Sequence, residues 1–161
     1  MPVFKSSLDM AGAAWPQDRA HVLALVARHD ELRDRSAAAS GRAGPRFAKR
    51  GQLLPRERLG LLLDAGAPYL ELAACAGYLL DNPDPEKSTP GGGLLAGIGQ
   101  VSGARCVVVV DDSGIEAGAL QPMGLGKFQR AQQLSLESGL PFVHLVESAG
   151  ANLLRYRVED F

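Results

Sequence analysis

The chain has 161 residues at 17.0 kDa, with 17 Lys and Arg against 18 Asp and Glu, 46% hydrophobic and 22% charged residues, which describes one globular domain of ordinary composition. A formal charge of -1 and a pI near 6.3 leave no global basic field for a polyanion, so nucleic-acid binding would need a local patch. The longest apolar runs, such as Cys106 to Val110, fall far short of the roughly 20 residues that a bilayer core requires. The N-terminus lacks a basic segment followed by an apolar one, and Cys75 and Cys106 alone make no disulfide framework, so a reduced, cytoplasmic setting is expected. The 19 glycines, about 12% of the chain where about 7% is usual, gather mostly between Gly91 and Gly150 and point to backbone-based function there.

In chain order, Val22, Leu25, Val26 and Leu32 recur at helical spacing and predict an amphipathic helix over Asp18 to Arg35, capped by Asp18. Ser36 to Gly51 mixes small residues, Pro45 and the cations Arg42, Arg46, Lys49 and Arg50, and reads as a linker with a local positive face, ordinarily just solvated surface. Residues 1–48 are therefore read as helix and linker, and residues 49–161 as the folded domain. Pro55 opens a second helix with Leu59, Leu62 and Leu63 on one stripe, ended by Gly66 and Pro68. A short strand is expected over Tyr69 to Leu72, and a surface loop over Asp81 to Pro90, where three prolines stand in ten residues. Strands follow at Leu94–Val101 and Arg105–Asp111, then a Gly-rich turn, a helix over Gly124–Ser138 and a strand over Phe142–Val146. A buried strand, a crossover helix and a second apolar strand predict a parallel βαβ unit, with the site at the strand C-termini.

Three constellations bear on chemistry. Asp111 and Asp112 end an apolar strand, where a metal-dependent phosphotransferase would place a nucleophile and a Mg²⁺ ligand; adjacent residues diverge on a strand, however, which favours a turn role for Asp112 and Ser113. The glycine clusters miss both nucleotide patterns: Gly97, Gly99 and Gly103 miss the dinucleotide spacing by one, and Gly126-Lys127 lacks the upstream glycine of a phosphate loop. The third is the turn Glu147-Ser-Ala-Gly-Ala-Asn, whose small residues let backbone N–H groups face a cavity as an oxyanion hole needs; the alternative is a tight turn with no ligand. Ser148 has no evident base among His21, His29 and His144, and His144 reads as a satisfied core histidine. No His or Cys pair has metal-ligand spacing, so no metal is expected.

Three blocks in order, Lys49-Arg-Gly-Gln-Leu-Leu-Pro-Arg-Glu-Arg-Leu, Gly97-Ile-Gly-Gln-Val-Ser-Gly and Glu147-Ser-Ala-Gly-Ala-Asn-Leu, resemble the N-terminal part of the carboxyltransferase (β) subunit of biotin-dependent acyl-CoA carboxylases, nearest the methylcrotonoyl-CoA or geranyl-CoA branch. The resemblance implies an α/β crotonase-like spiral of ββα units, here the front part of an N-domain. It also implies transfer of a carboxyl group from carboxybiotin to an acyl-CoA, with backbone N–H pairs stabilising the oxyanions. Biotin would be carried on a partner, the biotin carboxylase and carrier (α) subunit, with other β subunits completing an oligomer. Position by position, the resemblance implies that Ala149 and Gly150 supply an oxyanion pair, that Gly118 and Ala119 line the acyl-CoA cleft, and that Lys127 approaches the CoA phosphates, a solvated lysine being the alternative. The basic residues Lys49, Arg50, Arg56 and Arg58 match a family block without an assigned contact. Ala149 stands where the family has glycine, which would strain a positive φ there. Leu154 replaces a frequent proline, and the helix-like start at Val158 to Phe161 is expected to belong to a longer chain.

Overall fold

The computed structural model describes residues 5–150, and the expectations at Leu154 and Val158 to Phe161 lie outside them. Residues up to Glu31 and residues from Leu32 onward form two compact units. The first unit carries most of helix α1, Trp15–Gly41, with Val22, Leu25 and Val26 each about half exposed. Asp18 stands in the first turn of α1 rather than capping it, a position that suits the positive end of the helix dipole.

The expected linker over Ser36–Gly51 is mostly helical. α1 runs on to Gly41, and Gly44–Lys49 form α2 with Pro45 in its first turn. Three consecutive alanines carry the helix forward, and Ser36, Ala39, Ser40, Ala43 and Phe47 are buried, so small side chains that suggest a linker serve instead for close packing. Helix α3, Pro55–Leu62, begins where proline predicts, and the Glu57 carboxylate accepts the Leu54 N–H at 2.7 Å.

The sheet has four strands in the order β1-β2-β3-β4, with β1 Leu70–Glu71, β2 Leu94–Val101, β3 Ala104–Asp111 and β4 Phe142–Leu145. β2 and β3 form an antiparallel hairpin paired from Leu94↔Asp111 to Val101↔Ala104. Its two-residue turn sets Ser102 at φ 50° and Gly103 at φ 77°, and both turn N–H groups donate to the Asp64 carboxylate at 2.7 Å. Helix α4, Pro122–Ser138, then carries the chain to β4, parallel to β3 with Val107 opposite Phe142. The expected ββα order, followed by a parallel strand, is thus present once.

Period-two alternation divides the core between the two sheet faces. Leu95, Val108 and Val110 pack with Leu59 of α3 on one face, while Leu94, Ala96, Val107 and Val109 pack with Ala131 of α4 on the other. Val107 to Val110 are fully buried, as an apolar run covered on both faces requires. Tyr69 lies over Gly97, where an added Cβ would come within 2.6 Å of both the Tyr69 ring and the Leu70 carbonyl. The glycines that interrupt β2 therefore make room for a ring and an adjacent strand instead of a nucleotide.

Candidate functional site

Parallel pairing of β3 and β4 brings their C-terminal ends to one edge of the sheet, and three glycine-bearing segments converge there. Loop 112–121 follows β3, turn 146–150 follows β4, and Gly91–Gly93 precede β2. The Asp112 N–H donates to the Gly93 carbonyl at 2.9 Å, joining two of them. Gly92 rests against Gly124 at the start of α4, and an added Cβ on Gly124 would meet the Gly92 carbonyl.

The two aspartates take separate structural tasks. The Asp111 carboxylate accepts from His144 Nε2 at 2.9 Å and from the Glu147 N–H at 3.0 Å, so it holds both the end of β4 and the turn beyond it. Asp112 accepts from Ser40 Oγ at 2.6 Å and from the Gly114 N–H at 3.2 Å, fastening α1 to loop 112–121 and confirming the turn role read from the sequence. Burial raises the Asp112 pKa, opposed by the Ser40 hydrogen bond, Arg56, the Gly114 N–H and Lys127. Among the described residues, no three His, Cys, Asp or Glu side chains gather as a metal-ligand set.

His144 is satisfied by Asp111 and packs against the Phe128 ring at 5.0 Å between centroids. Ser148 Oγ donates to the Gly118 carbonyl at 2.6 Å and accepts the Gly150 N–H at 3.0 Å, so its hydroxyl is turned away from any imidazole. His21 and His29 are exposed on α1. Among the described residues, Ser148 Oγ has no histidine as a hydrogen-bond partner.

The turn expected to offer an oxyanion pair is docked onto loop 112–121. The Ala149 N–H donates to the Ala117 carbonyl at 3.1 Å, the Gly150 N–H to Ser148 Oγ, and the Leu120 N–H to the Gly150 carbonyl at 2.9 Å. Two unengaged donors are thus not found at Ala149 and Gly150, because the chain itself supplies acceptors. The strain foreseen at Ala149 is absent: Gly150 takes the positive φ, 98°, and Ala149 does not. Strain sits across the contact, where Glu116 and Ala117 stand at φ 45° and 55° in the 3₁₀ turn Glu116–Gly118. Gly118 is buried beneath the Glu147 carbonyl, and Ala119 is half-buried beside it.

Lys127 is placed inside the fold rather than in solvent. Its amine donates to the Leu94 carbonyl at 2.7 Å and the Gly91 carbonyl at 3.2 Å, fixing the loop that leads into β2. Burial pushes its pKa down to about 8 and Arg56 lowers it too, while Glu71, Asp112 and Cys75 oppose the shift. Sequence reading missed this position because lysine is rarely buried and the carbonyls it meets, those of Gly91 and Leu94, lie more than thirty residues away along the chain.

The family-type block around α3 also acquires contacts. Arg58 Nη1 meets Glu147 Oε2 at 2.6 Å with both side chains about one-quarter exposed, and Arg56 lies 3.7 Å from Glu71. Arg58 thereby clamps the turn that Asp111 holds from the other side. Replacing Arg58 with methionine is expected to cost about 1–2 kcal/mol, the worth of a charge-assisted hydrogen bond discounted for partial exposure. Urea unfolding of Arg58→Met, Glu147→Gln and the double variant checks it: strictly additive losses would mean that the two side chains do not act as a pair.

Comparison with known proteins agrees with this geometry. Residues 46–160 match the model of the "Carboxyl transferase domain" family. The chain is 37% identical over 154 residues to a "Probable methylcrotonoyl-CoA carboxylase beta chain, mitochondrial" of Drosophila melanogaster, covering 95% of this chain and 26% of that protein. It is 43% identical over 129 residues to the "Biotin-dependent 3-methylcrotonyl-coenzyme A carboxylase beta1 subunit" of Mycobacterium tuberculosis, covering 78% of this chain and 24% of that protein. Among solved structures, the geranyl-CoA carboxylase β subunit of P. aeruginosa superposes with a TM-score of 0.82 at 47% identity, over 95% of this chain and 28% of that one. The chain spans about a quarter of the length of the curated relatives it matches.

Proposed function

The chain belongs to the carboxyl transferase domain family, and from that premise we propose that it serves as the front part of a carboxyltransferase component in a biotin-dependent acyl-CoA carboxylase. The transfer is of a carboxyl group from carboxybiotin to an acyl-CoA, in the methylcrotonoyl-CoA or geranyl-CoA branch, with a branched unsaturated acyl group as acceptor. The observation that carries the reading is the docking of turn 147–150 on loop 116–120 at the C-terminal edge of parallel β3 and β4, in a chain 47% identical to a geranyl-CoA carboxylase β subunit.

In this reading Gly118 and Ala119 line the acyl-CoA cleft and the Ala149–Gly150 turn faces the reacting end. The Ala149 N–H reaches an oxyanion only when the Ala117 carbonyl gives it up, and the left-handed conformation of Ala117 lowers the cost of that exchange. Asp111 and Arg58 keep the turn in place from two sides, through the Glu147 N–H and the Glu147 carboxylate. Biotin supplies the carboxyl group from a partner α subunit. The Ala149–Gly150 turn gives its ring no preformed donor pair, since both N–H groups are engaged. Other β subunits are the further partners, and the compartment is cytoplasmic in this reading; among the described residues no helix is long and apolar enough to cross a membrane.

The test is transfer itself. A complete subunit containing this segment, supplied with its biotin-carrying partner, is expected to carboxylate 3-methylcrotonoyl-CoA or geranoyl-CoA well ahead of acetyl-CoA, and failure with every acyl-CoA overturns the reading. The isolated 161-residue chain is expected to give no transfer with free carboxybiotin. Measurable turnover by it would show that the site needs nothing beyond these residues.

A second reading is that the segment acts only as a CoA-binding or interaction module, favoured by the engaged state of both turn N–H groups. Binding of CoA without transfer in the complete subunit would select it.

A further inference from the structure

We propose that the recess on the α4 side of the sheet, between Arg105, Leu70 and Leu140, binds a free medium-chain fatty acid, its carboxylate on Arg105 and its aliphatic chain on Leu70, Ile98 and Leu140. The recess has a volume of about 660 Å³, within the roughly 300–1,000 Å³ of small-molecule sites. Arg105 is the second residue of β3 and Asp111 the last, so the recess lies about 20 Å along that strand from the candidate functional site. The assignment is therefore independent of the carboxyltransferase reading.

The recess exists because α4 is shorter than the hairpin it covers. Alternation along β2 and β3 puts Leu94, Ala96, Ile98 and Gln100 on the α4 side together with Arg105, Val107 and Val109. Leu94, Ala96, Val107 and Val109 are buried there with Ala131 of the helix. The helix then ends at Ser138, where Gly139 at φ 63° turns the chain toward Leu140 and β4. Beyond that end Ile98 and Gln100 are only half-buried and Arg105 is exposed. Leu70, opposite Ile98 in the β1–β2 register, remains 61% exposed. A floor three strands wide is thus left bare at the hairpin end, with Ser138 and Leu140 beside it.

The chemistry of the recess selects its occupant. Among the described residues Arg105 has no carboxylate partner, whereas Arg58 and Arg130 each meet a glutamate. An unpaired arginine beside apolar surface suits a carboxylate, which its planar guanidinium binds through two parallel hydrogen bonds. The floor offers no backbone groups, since those of β1, β2 and β3 lie in the plane of the sheet and bond strand to strand. A peptide laid across it would bury its own N–H and C=O groups with few partners, a cost that an aliphatic chain does not carry. From Arg105 to Leu70 the floor crosses two strand spacings and two residues of rise, about 12 Å, which matches an extended chain of about eight to ten carbons.

Isothermal titration of the 161-residue chain with octanoate, butanoate and 1-octanol tests the site, and methyl NMR shifts locate it. Octanoate is expected to bind one to one and to move the methyl signals of Leu70, Ile98 and Leu140 while leaving those of Ala117 and Ala149 in place. Butanoate and octanol are expected to bind at least about tenfold more weakly, the first for lost apolar contact and the second for lost charge. Arg105→Gln is expected to weaken octanoate at least about tenfold with octanol unchanged, Arg105→Lys to fall between, and Leu70→Gln to weaken both ligands. Arg105 and Leu70 are exposed, so these substitutions leave the core intact. Arg19→Gln, which removes an exposed arginine of α1, is expected to bind octanoate as the parent does. Absence of saturable octanoate binding overturns the inference, as do equal losses in Arg105→Gln and Arg19→Gln, equal affinity for octanol and octanoate, or shifts at Ala117 and Ala149 in place of Leu70 and Ile98. A dimer in sedimentation that Leu70→Gln dissolves would give the recess to a second copy of the chain, and an acidic peptide bound there in place of octanoate would give it to a protein. Either result removes the fatty-acid assignment.

Discussion

Gly118→Ala is expected to lower stability by about 2–5 kcal/mol and to release turn 147–150 from loop 112–121. Two costs add at this position. The residue sits at φ 73°, where a Cβ costs about 1–2 kcal/mol. The new methyl would also fall 2.3 Å from the Glu147 carbonyl oxygen and 3.2 Å from the Ser148 Cα, and overpacking against backbone costs about 1–3 kcal/mol. Gly103→Ala is the matched comparison: φ is 77° there, yet nothing lies within 4 Å, so only the conformational cost of about 1–2 kcal/mol applies. Urea midpoints of the two variants give the difference directly. Equal losses would mean that the close approach of the two segments is not as described. Faster exchange of the Leu120 and Ala149 amides in Gly118→Ala, and not in Gly103→Ala, would localise the damage to the site.

Lys127 makes the second large prediction, a rise of stability with pH where most proteins lose it. Burial brings the folded-state pKa down to about 8, against 10.5 for an unperturbed lysine. Between those values the unfolded chain holds one proton more than the folded chain, so stability increases with pH at about 1.4 kcal/mol per unit. From pH 8 to pH 10 the gain is of order 2–3 kcal/mol, and below pH 8 the burial of the charge is a constant burden. Tyr69 acts in the opposite sense at higher pH, since burial raises its phenol above the ordinary value of 10.0 and the folded chain then retains the proton longer. The comparison is therefore kept below pH 10 and made against Lys127→Met, which keeps the length of the side chain without the titrating amine. The parent is expected to climb relative to the variant across that window. Parallel profiles would mean that the amine keeps its charge on the two carbonyls of Gly91 and Leu94.

These two residues also mark the limit of what reading along the chain could reveal. The strands Leu94–Val101 and Arg105–Asp111 were legible because apolar residues such as Val107–Val110 form buried runs. Proline at Pro55 announced α3, and of the glycine clusters Gly92 and Gly124 meet at the edge where the loops gather, whereas Gly97 and Gly99 sit inside β2. The branch of the family was legible from three blocks of residues, and the comparisons agree with it. By contrast, Ser36–Gly51 looked like a linker since small and polar residues suit both loops and tight helix packing, and local composition does not separate the two.

What the sequence by itself determined is the order of the elements, the division of apolar residues between two sheet faces and the family to which they belong. The first two follow from periodicity and from residues close together along the chain, and the family from the resemblance of three blocks taken in order. Tertiary structure decided the rest. It turned the Lys127 amine onto two carbonyls, engaged the Ala149 N–H with Ala117, gave Arg58 its partner in Glu147 and left an apolar recess beside Arg105. Each of these depends on groups about 30 to 90 residues apart. Hydrogen bonds and charges act only over a few ångströms, so their partners become known only when the sheet has brought the loops to one edge.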